Sequence, residues 1–219
     1  MLVLLAVVVA LLAGLVFWRL QPVPAPALSL SDLQGVYAGM VRSDRSGDAS
    51  VIDNHRDHEE SGYIVPADCE PLFEATVLNR VPLGALDGVG TFWANDWSAV
   101  SLFSYRFADV AGANHEYTRL ANVLDNCRDV RVEVHARSAD TGLLIGIRRD
   151  PVSEDRAQLG YVLTTDDGTK FAVHVLAFRN TVSWQFRYEP VPGAYSPLTA
   201  QRVMDQLAYQ MRSVQDPGR

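Results

Sequence analysis

Lysine is almost missing from this 219-residue chain. Lys170 is the only one, and arginine supplies the rest of 19 basic residues against 26 acidic ones, for a net charge of −7. A surface for nucleic acid or for anionic lipid needs clustered Lys and Arg, so this balance argues against both as partners of the main domain. Cysteine is nearly as scarce: Cys69 and Cys127 are the only two, which leaves no C-x-x-C redox pair and no thiolate metal cage. None precedes Cys69, so there is no lipobox. The chain has no G-x-S-x-G elbow, no glycine-rich phosphate loop and no S-x-x-K pair, and therefore none of the usual signatures of a hydrolytic nucleophile or a nucleotide site. There is no internal repeat and no N-x-Ser/Thr acceptor.

One long apolar run is present. Leu2 to Trp18 carries no charged or strongly polar side chain, and Arg19 and Pro22-Val23-Pro24-Ala25-Pro26-Ala27 follow at once. As a helix this run would be roughly 26 Å long, slightly short of a hydrocarbon core but longer than the apolar region of an ordinary cleaved signal. Two expectations stay open: an uncleaved single-pass anchor with the C-terminal part extracytoplasmic, or a signal removed near Ala27 and a secreted product. The missing basic flank before Leu2, set against Arg19 behind it, runs against the positive-inside rule and suggests a start further upstream. The chain divides into 1–20 (anchor or signal), 21–30 (a stiff Pro/Ala linker), 31–62 (a short helix and a polar loop) and 63–216 (one extracytoplasmic domain).

Within the exported part, Leu28 to Met40 reads as a short amphipathic helix with Ser31 or Asp32 as its cap. Arg42 to Gly62 is so polar that it reads as a mobile loop, and Asp68 is a candidate cap for a helix carrying Cys69, Leu72 and Phe73. A glycine-rich segment, Gly84 to Gly90, leads to Trp93. Trp97 to Phe107 alternates as a strand, with Phe103, Tyr105 and Phe107 on one face and Val100 and Leu102 on the other. Asp109 to Asn126 repeats apolar residues at helical spacing, ending at Cys127. Val130–Ala136, Leu143–Ile147 and Leu159–Leu163 read as strands. Residues 170–178 and 182–188 form the arms of a hairpin turning at 179–181, and a last helix opens at Ser196-Pro197. The intervals are too short for βαβ crossovers. The expected fold is therefore α+β: a twisted, mainly antiparallel sheet with helices packed around it, in a single domain.

In an exported domain Cys69 and Cys127, each beside apolar helical positions, are most simply a structural disulfide. His55, His58, Glu59 and Glu60 are the one cluster with metal-ligand chemistry, but they crowd into the most polar loop, which supplies no rigid frame, so a solvated loop and no metal are expected. No cofactor is expected either. His115, His135 and His174 are isolated and read as surface or hydrogen-bonded residues. Aromatic side chains concentrate in strands. Trp97, Tyr105, Trp184 and Arg187 are the candidate ligand-binding residues if several aromatics share a sheet face with Arg106 and Arg187; the competing reading packs the aromatics into the core.

The order Pro66-Ala67-Asp68-Cys69, then Leu102-Phe103-Ser104-Tyr105-Arg106-Phe107-Ala108-Asp109, then a helix with Tyr117 and Leu120 ending at Cys127, then Val182-Ser183-Trp184-Gln185-Phe186-Arg187 before a terminal helix, resembles the extracytoplasmic sensor domain of actinobacterial kinases of the PknH type and related stand-alone envelope proteins. The resemblance covers roughly residues 66–214. It implies a twisted antiparallel sheet with helices around a ligand-binding cleft, and Cys69 and Cys127 match the first of that family's two disulfides. This chain lacks the second, the kinase domain and the lipobox, so any signalling output implies a separate membrane partner. The expectation is a membrane-tethered sensor-like domain, non-catalytic, binding a small molecule or an envelope glycan or lipid. An envelope accessory protein working through protein contacts is the alternative, and a hydrolase comes third.

Overall fold

Asp109 sets the central helix in place. Its backbone is extended, its carboxylate accepts from the Gly112 amide at 2.7 Å, and helix α2 then runs Val110–Asn126 until Cys127 returns to extended backbone. Such a cap stabilises a helix by about 1 kcal/mol. The same logic starts helix α1, Leu30–Asp44. There the cap is Ser29, not the Ser31 or Asp32 expected from sequence: the Asp32 amide donates to the Ser29 hydroxyl, and the Ser29 amide donates back to the Asp32 carboxylate at 2.8 Å. This is a reciprocal capping pair with Asp in the return position. Helix α3 runs Pro197–Ser213, its proline in the first turn, where a missing N–H costs nothing. These elements come from a computed structural model that describes residues 27–44, 50–52, 61–78, 80–94, 99–136, 139–149, 158–189 and 197–214. Among the described residues no helix is long and apolar enough to cross a membrane; Leu2 to Trp18 lie outside them.

The strands are β1 (Ser50–Ile52), β2 (Ser61–Val65), β3 (Ala85–Ala94), β4 (Ala99–Phe107), β5 (Asp129–Ala136), β6 (Ala139–Arg149), β7 (Gln158–Thr165), β8 (Lys170–Phe178) and β9 (Thr181–Glu189). They form one nine-stranded sheet in the order β1-β3-β4-β9-β8-β7-β6-β5-β2, and every neighbouring pair is antiparallel. Strands β5 to β9 are a continuous meander whose last strand closes against β4, with Phe103 opposite Trp184 and Tyr105 opposite Val182. The α+β, mainly antiparallel, single-domain expectation is met.

Helices cover both faces. On one side α2 and a 3-10 helix, Ala67–Leu72, pack on a core that includes Leu120, Leu124, Tyr105, Val132, Tyr161, Val175 and Trp184. On the other, α1 and α3 bury Leu33, Tyr37, Met204, Leu207 and Met211 against Val89, Leu102 and Leu176. Each fully buried large apolar side chain contributes about 1.5–3 kcal/mol. The first layer is cross-braced. The Cys69–Cys127 disulfide joins the 3-10 helix to the end of α2. Arg119 reaches both Glu116 on its own helix, at 2.7 Å, and Glu74, at 2.6 Å, while Arg80 pairs with Glu70 and donates to the Gly62 carbonyl. In the second layer Asn180, in the β8–β9 turn, accepts from the Leu28 amide at 2.7 Å and donates to the carbonyls of Leu28 and Phe107, both at 3.1 Å.

Several sequence expectations are corrected. The glycine-rich segment is the body of β3. A Cβ on Gly88 would sit 2.7 Å from the Ser104 carbonyl oxygen, so glycine is what lets this strand approach β4, and the register shifts between Ala85 and Asp87. The stretch taken as a loop holds the end of α1, strand β1 and the start of β2; its remaining residues, with His55, His58, Glu59 and Glu60, lie outside the described ones. The segment at Cys69 is a 3-10 helix after a cis Val65–Pro66 peptide, and Pro66, not Asp68, holds the cap position. The β8–β9 turn is two residues, Arg179-Asn180, with Thr181 already paired to Phe178. A boundary at residue 63 would cut through the fold, since Leu28, Leu33, Val36, Tyr37 and Met40 are core.

The disulfide encloses 58 residues of sequence separation and ties a short, irregular helix to a long one. On the chain-entropy estimate it stabilises the fold by roughly 4 kcal/mol. Cys127→Ser in the full chain should lower the melting temperature markedly, and reducing agent should do the same to the wild type. An unchanged melting temperature would show that the salt-bridged braces carry this layer alone.

Candidate functional site

The strand alternation separates the residues that the sequence grouped. Tyr105 and Trp184 meet edge to face, ring centroids 5.5 Å apart at 81°, in the core beneath α2, with Trp184 1% exposed. Arg106 follows Tyr105 directly and Arg187 lies three residues beyond Trp184, odd steps along a strand that put both on the opposite face. The structure thus brings Tyr105 and Trp184 together as packing and puts Arg187 across the sheet from them. Trp97 lies outside the described residues. Phe171 stacks on Phe186 and Tyr188, with centroids 5.2 Å apart in each pair, extending the same aromatic face.

The opposite face carries something the sequence reading passed over. Register aligns Thr91 (β3), Leu102 (β4), Gln185 (β9), His174 (β8) and Gly160 (β7) in one row across the sheet. Thr91, Gln185 and His174 are 3%, 0% and 2% exposed. One row toward the Asn180 turn lie Val89, Ser104, Ser183, Leu176 and Gln158; one row the other way, Trp93, Val100, Arg187 and Ala172 occupy the aligned positions. Among the described residues, the Thr91 hydroxyl, the Gln158 amide oxygen and both amide atoms of Gln185 meet no hydrogen-bond partner. The Gln158 amide nitrogen donates to Asp205 of α3 at 3.2 Å. A buried polar group left without a partner costs about 1–3 kcal/mol, so several on one face mark either a site or a packing burden that something must offset.

The serines of the row nearer the turn are satisfied and provide the contrast. Tyr37 of α1, Ser104 and Ser183 form a hydroxyl chain with O···O distances of 2.8 and 2.6 Å. Burial pushes the Tyr37 phenol well above its ordinary range, opposed in part by the hydrogen bond with Ser104. Burial alone raises Tyr105 and Tyr161, and Tyr161 donates to the Leu72 carbonyl at 2.7 Å. Burial would lower Arg119, but the paired carboxylates of Glu116 and Glu74 outweigh it and hold the guanidinium charged. At the edge, Arg106 grips Asp87 with two hydrogen bonds, one of 2.8 Å, and these raise it further. These groups give a rigid frame around the polar row and place no nucleophile beside a base.

A signal for the row was present in the sequence. In Val182-Ser183-Trp184-Gln185-Phe186-Arg187 the apolar and polar residues alternate strictly, and a strand in the middle of a sheet with helices on both faces has no solvated side to give its polar set. A search for aromatic rings looks at the wrong half of that alternation. Among the described residues no group of His, Cys, Asp and Glu is arranged to hold a metal ion.

With this geometry in hand, the chain can be set beside known proteins. No protein-family model and no curated protein sequence matches it. Among solved structures, the extracellular domain of PknH from Mycobacterium tuberculosis superposes with a TM-score of 0.59 at 10% identity, covering 86% of this chain and 99% of that one. An uncharacterized protein from Mycobacterium smegmatis aligns at 14% identity over 85% of this chain and all of its own, with a TM-score of 0.42. The first likeness shows a shared fold, the one the sequence resemblance implied.

The three buried phenols give a pH signature. Each keeps its proton in the folded state, whereas the unfolded chain releases it near the ordinary value of about 10. Stability is therefore unaffected by them below that pH and falls as pH rises above it. In an ultraviolet titration, Tyr37, Tyr105 and Tyr161 should ionise only as circular dichroism reports unfolding, while exposed tyrosines ionise earlier. Reversible ionisation of all 8 tyrosines in a folded protein would contradict this burial.

Proposed function

We propose that this protein is a membrane-tethered, extracytoplasmic binding domain of the sensor type, without catalysis, whose ligand is a small molecule or an envelope component. The observation that carries this reading is a set of buried polar groups on one face of a rigid sheet, the Thr91 hydroxyl, the Gln158 amide oxygen and the Gln185 amide, that meet no partner among the described residues. Binding sites put a few oriented polar groups on an otherwise apolar, preformed surface, and this face has that composition. The apolar run Leu2–Trp18, the Pro/Ala segment behind it and the disulfide support an extracytoplasmic location. The fold shared with the extracellular domain of PknH agrees with it. The absence of nucleophile motifs in the sequence, and hydroxyls that bond to one another and not to a base, support a binding role over a hydrolytic one. In this reading the N-terminal helix reaches the membrane, and a signal passes to a separate membrane protein.

Two measurements test it. A C-terminal alkaline phosphatase fusion should be active and a cytoplasmic reporter fusion silent; the reverse result would overturn the compartment and with it the sensor role. Native mass spectrometry of the full chain, purified from its own envelope, should reveal a retained small ligand. A chain that retains none but co-purifies in stoichiometric complex with another envelope protein would favour the accessory role instead.

A further inference from the structure

We infer that the end of the domain where the chain enters it is a membrane-contact face, with Leu83, Leu86 and Val110 seated in the interfacial layer of the bilayer that holds the N-terminal helix. This rests on the tethered reading above and adds how the domain is oriented on its membrane.

Phe107 gathers these residues in one place. Its carbonyl accepts from the Asn180 side chain, whose oxygen receives the Leu28 amide, so the chain enters the fold beside it. Phe107 also pairs with Ala85 at the start of β3, where the register skips Leu86. Leu83 belongs to the turn before that strand: the Ala85 amide donates to the Pro82 carbonyl at 3.1 Å, and Gly84 takes a φ of 85°. On the other side Val110 opens α2, whose first turn lies against Phe107; a Cβ added at Gly112 would be 3.4 Å from that of Phe107. Leu83, Leu86 and Val110 are 84%, 47% and 44% exposed, and Leu83 is the most exposed large apolar side chain among the described residues. A turn, a bulge and a helix start thus hold three branched apolar groups in water around one anchored residue.

The charges beside them are already answered. Asp87 is gripped by Arg106, and the Asp109 carboxylate accepts from the Gly112 amide. At the β8–β9 turn Arg179, and from the last turn of α3 Arg212, lie over the Phe178 ring, 5.3 and 5.9 Å from its centroid. Arginines laid along an apolar surface suit the boundary between headgroup phosphates and acyl chains. The net charge of −7 gives the chain no general attraction to anionic lipid, so the contact is apolar first.

The tether decides which end of the domain meets the bilayer. Trp18 and Leu28 are ten residues apart, a reach of at most about 35 Å. Residues 28–219 make a domain roughly 40 Å across. The tether is shorter than the domain is wide, so the entry end stays close to the surface. Three side chains are too small a contact to hold a free domain on a membrane. Tethering makes the same contact intramolecular, at a roughly millimolar effective concentration.

The experiment uses the full chain reconstituted in phosphatidylcholine vesicles. Leu83→Cys carries a fluorophore, with the Cys69–Cys127 disulfide left intact, and Leu144→Cys, exposed on β6 five strands from β3, is the reference. One nitroxide quencher sits on the lipid and another is dissolved in the water. The label at 83 should lose at least half its emission to the lipid quencher, and the label at 144 should respond only to the aqueous one. Leu86→Glu combined with Val110→Glu should make position 83 behave like 144. The melting temperature in detergent should hold, because both side chains are exposed and a carboxylate suits the first turn of α2. A label at 83 that stays open to the aqueous quencher overturns the inference. So does shielding at 83 that the lipid quencher does not reach and that grows with the number of chains per vesicle, since the face would then meet a second copy. Flotation after a carbonate wash separates the two readings. Chain that floats keeps the tether whatever position 83 does, and chain that washes off removes both.

Discussion

A single buried carboxamide holds the two halves of the fold in register. Asn180 satisfies the amide and carbonyl of Leu28 and the carbonyl of Phe107, while its own carbonyl accepts from the Phe107 amide at 2.7 Å. It therefore joins the entry of α1, the end of β4 and the turn that starts β9. The N-terminal strands meet the meander at two seams, β2 with β5 and β4 with β9, and the second joins residues far apart in sequence, so closing it is entropically expensive. Leaving three backbone groups buried without Asn180 would make it more so. The neighbouring Arg179 sits at a φ of 54°, a left-handed conformation that side chains other than glycine avoid, and the clasp is what over-determines it.

From that seam the sheet divides labour between its faces. The α2 face is conventional: aromatic and branched side chains, a disulfide, and carboxylate–arginine bridges tying down an irregular segment that has little regular hydrogen bonding of its own. The α1/α3 face is apolar only where the helices' Leu and Met side chains press on it, and polar along the row through Gln185. The polar row thus lies on a sheet whose opposite face is braced by the disulfide and the carboxylate–arginine bridges.

Legibility in the sequence followed periodicity. The helix from Asp109, the strand ending at Phe107 and the hairpin from 170 to 188 announce themselves because their apolar residues repeat cleanly. Strand β3 does not: Gly88 and Gly90 erase the alternation, and the reason for glycine at 88 is a carbonyl contributed by β4, invisible until the strands are side by side. Strand β1 is three residues in a polar stretch and exists only because β3 offers it an edge. Ser29 lost the cap to Ser31 and Asp32 in the reading because one position decides a cap and the candidates were adjacent. At the site, aromatic residues drew attention as ligand-binding types, while the packing of α2 had a stronger claim on Tyr105 and Trp184. The amides took no part in any motif, and their burial is a property of the closed sheet alone.

The place where the chain enters the fold also has a mechanical meaning. Leu28 is buried and clasped at Asn180, so any pull on the residues before Ala27 is delivered to the turn between β8 and β9, the two strands that carry His174 and Gln185. A strand drawn along its own length loads its hydrogen bonds in shear, where many must yield together, whereas a sheet peeled from an edge gives way one bond at a time. Tension on the segment before Ala27 would therefore be carried through Leu28 and Asn180 into the two strands that hold His174 and Gln185.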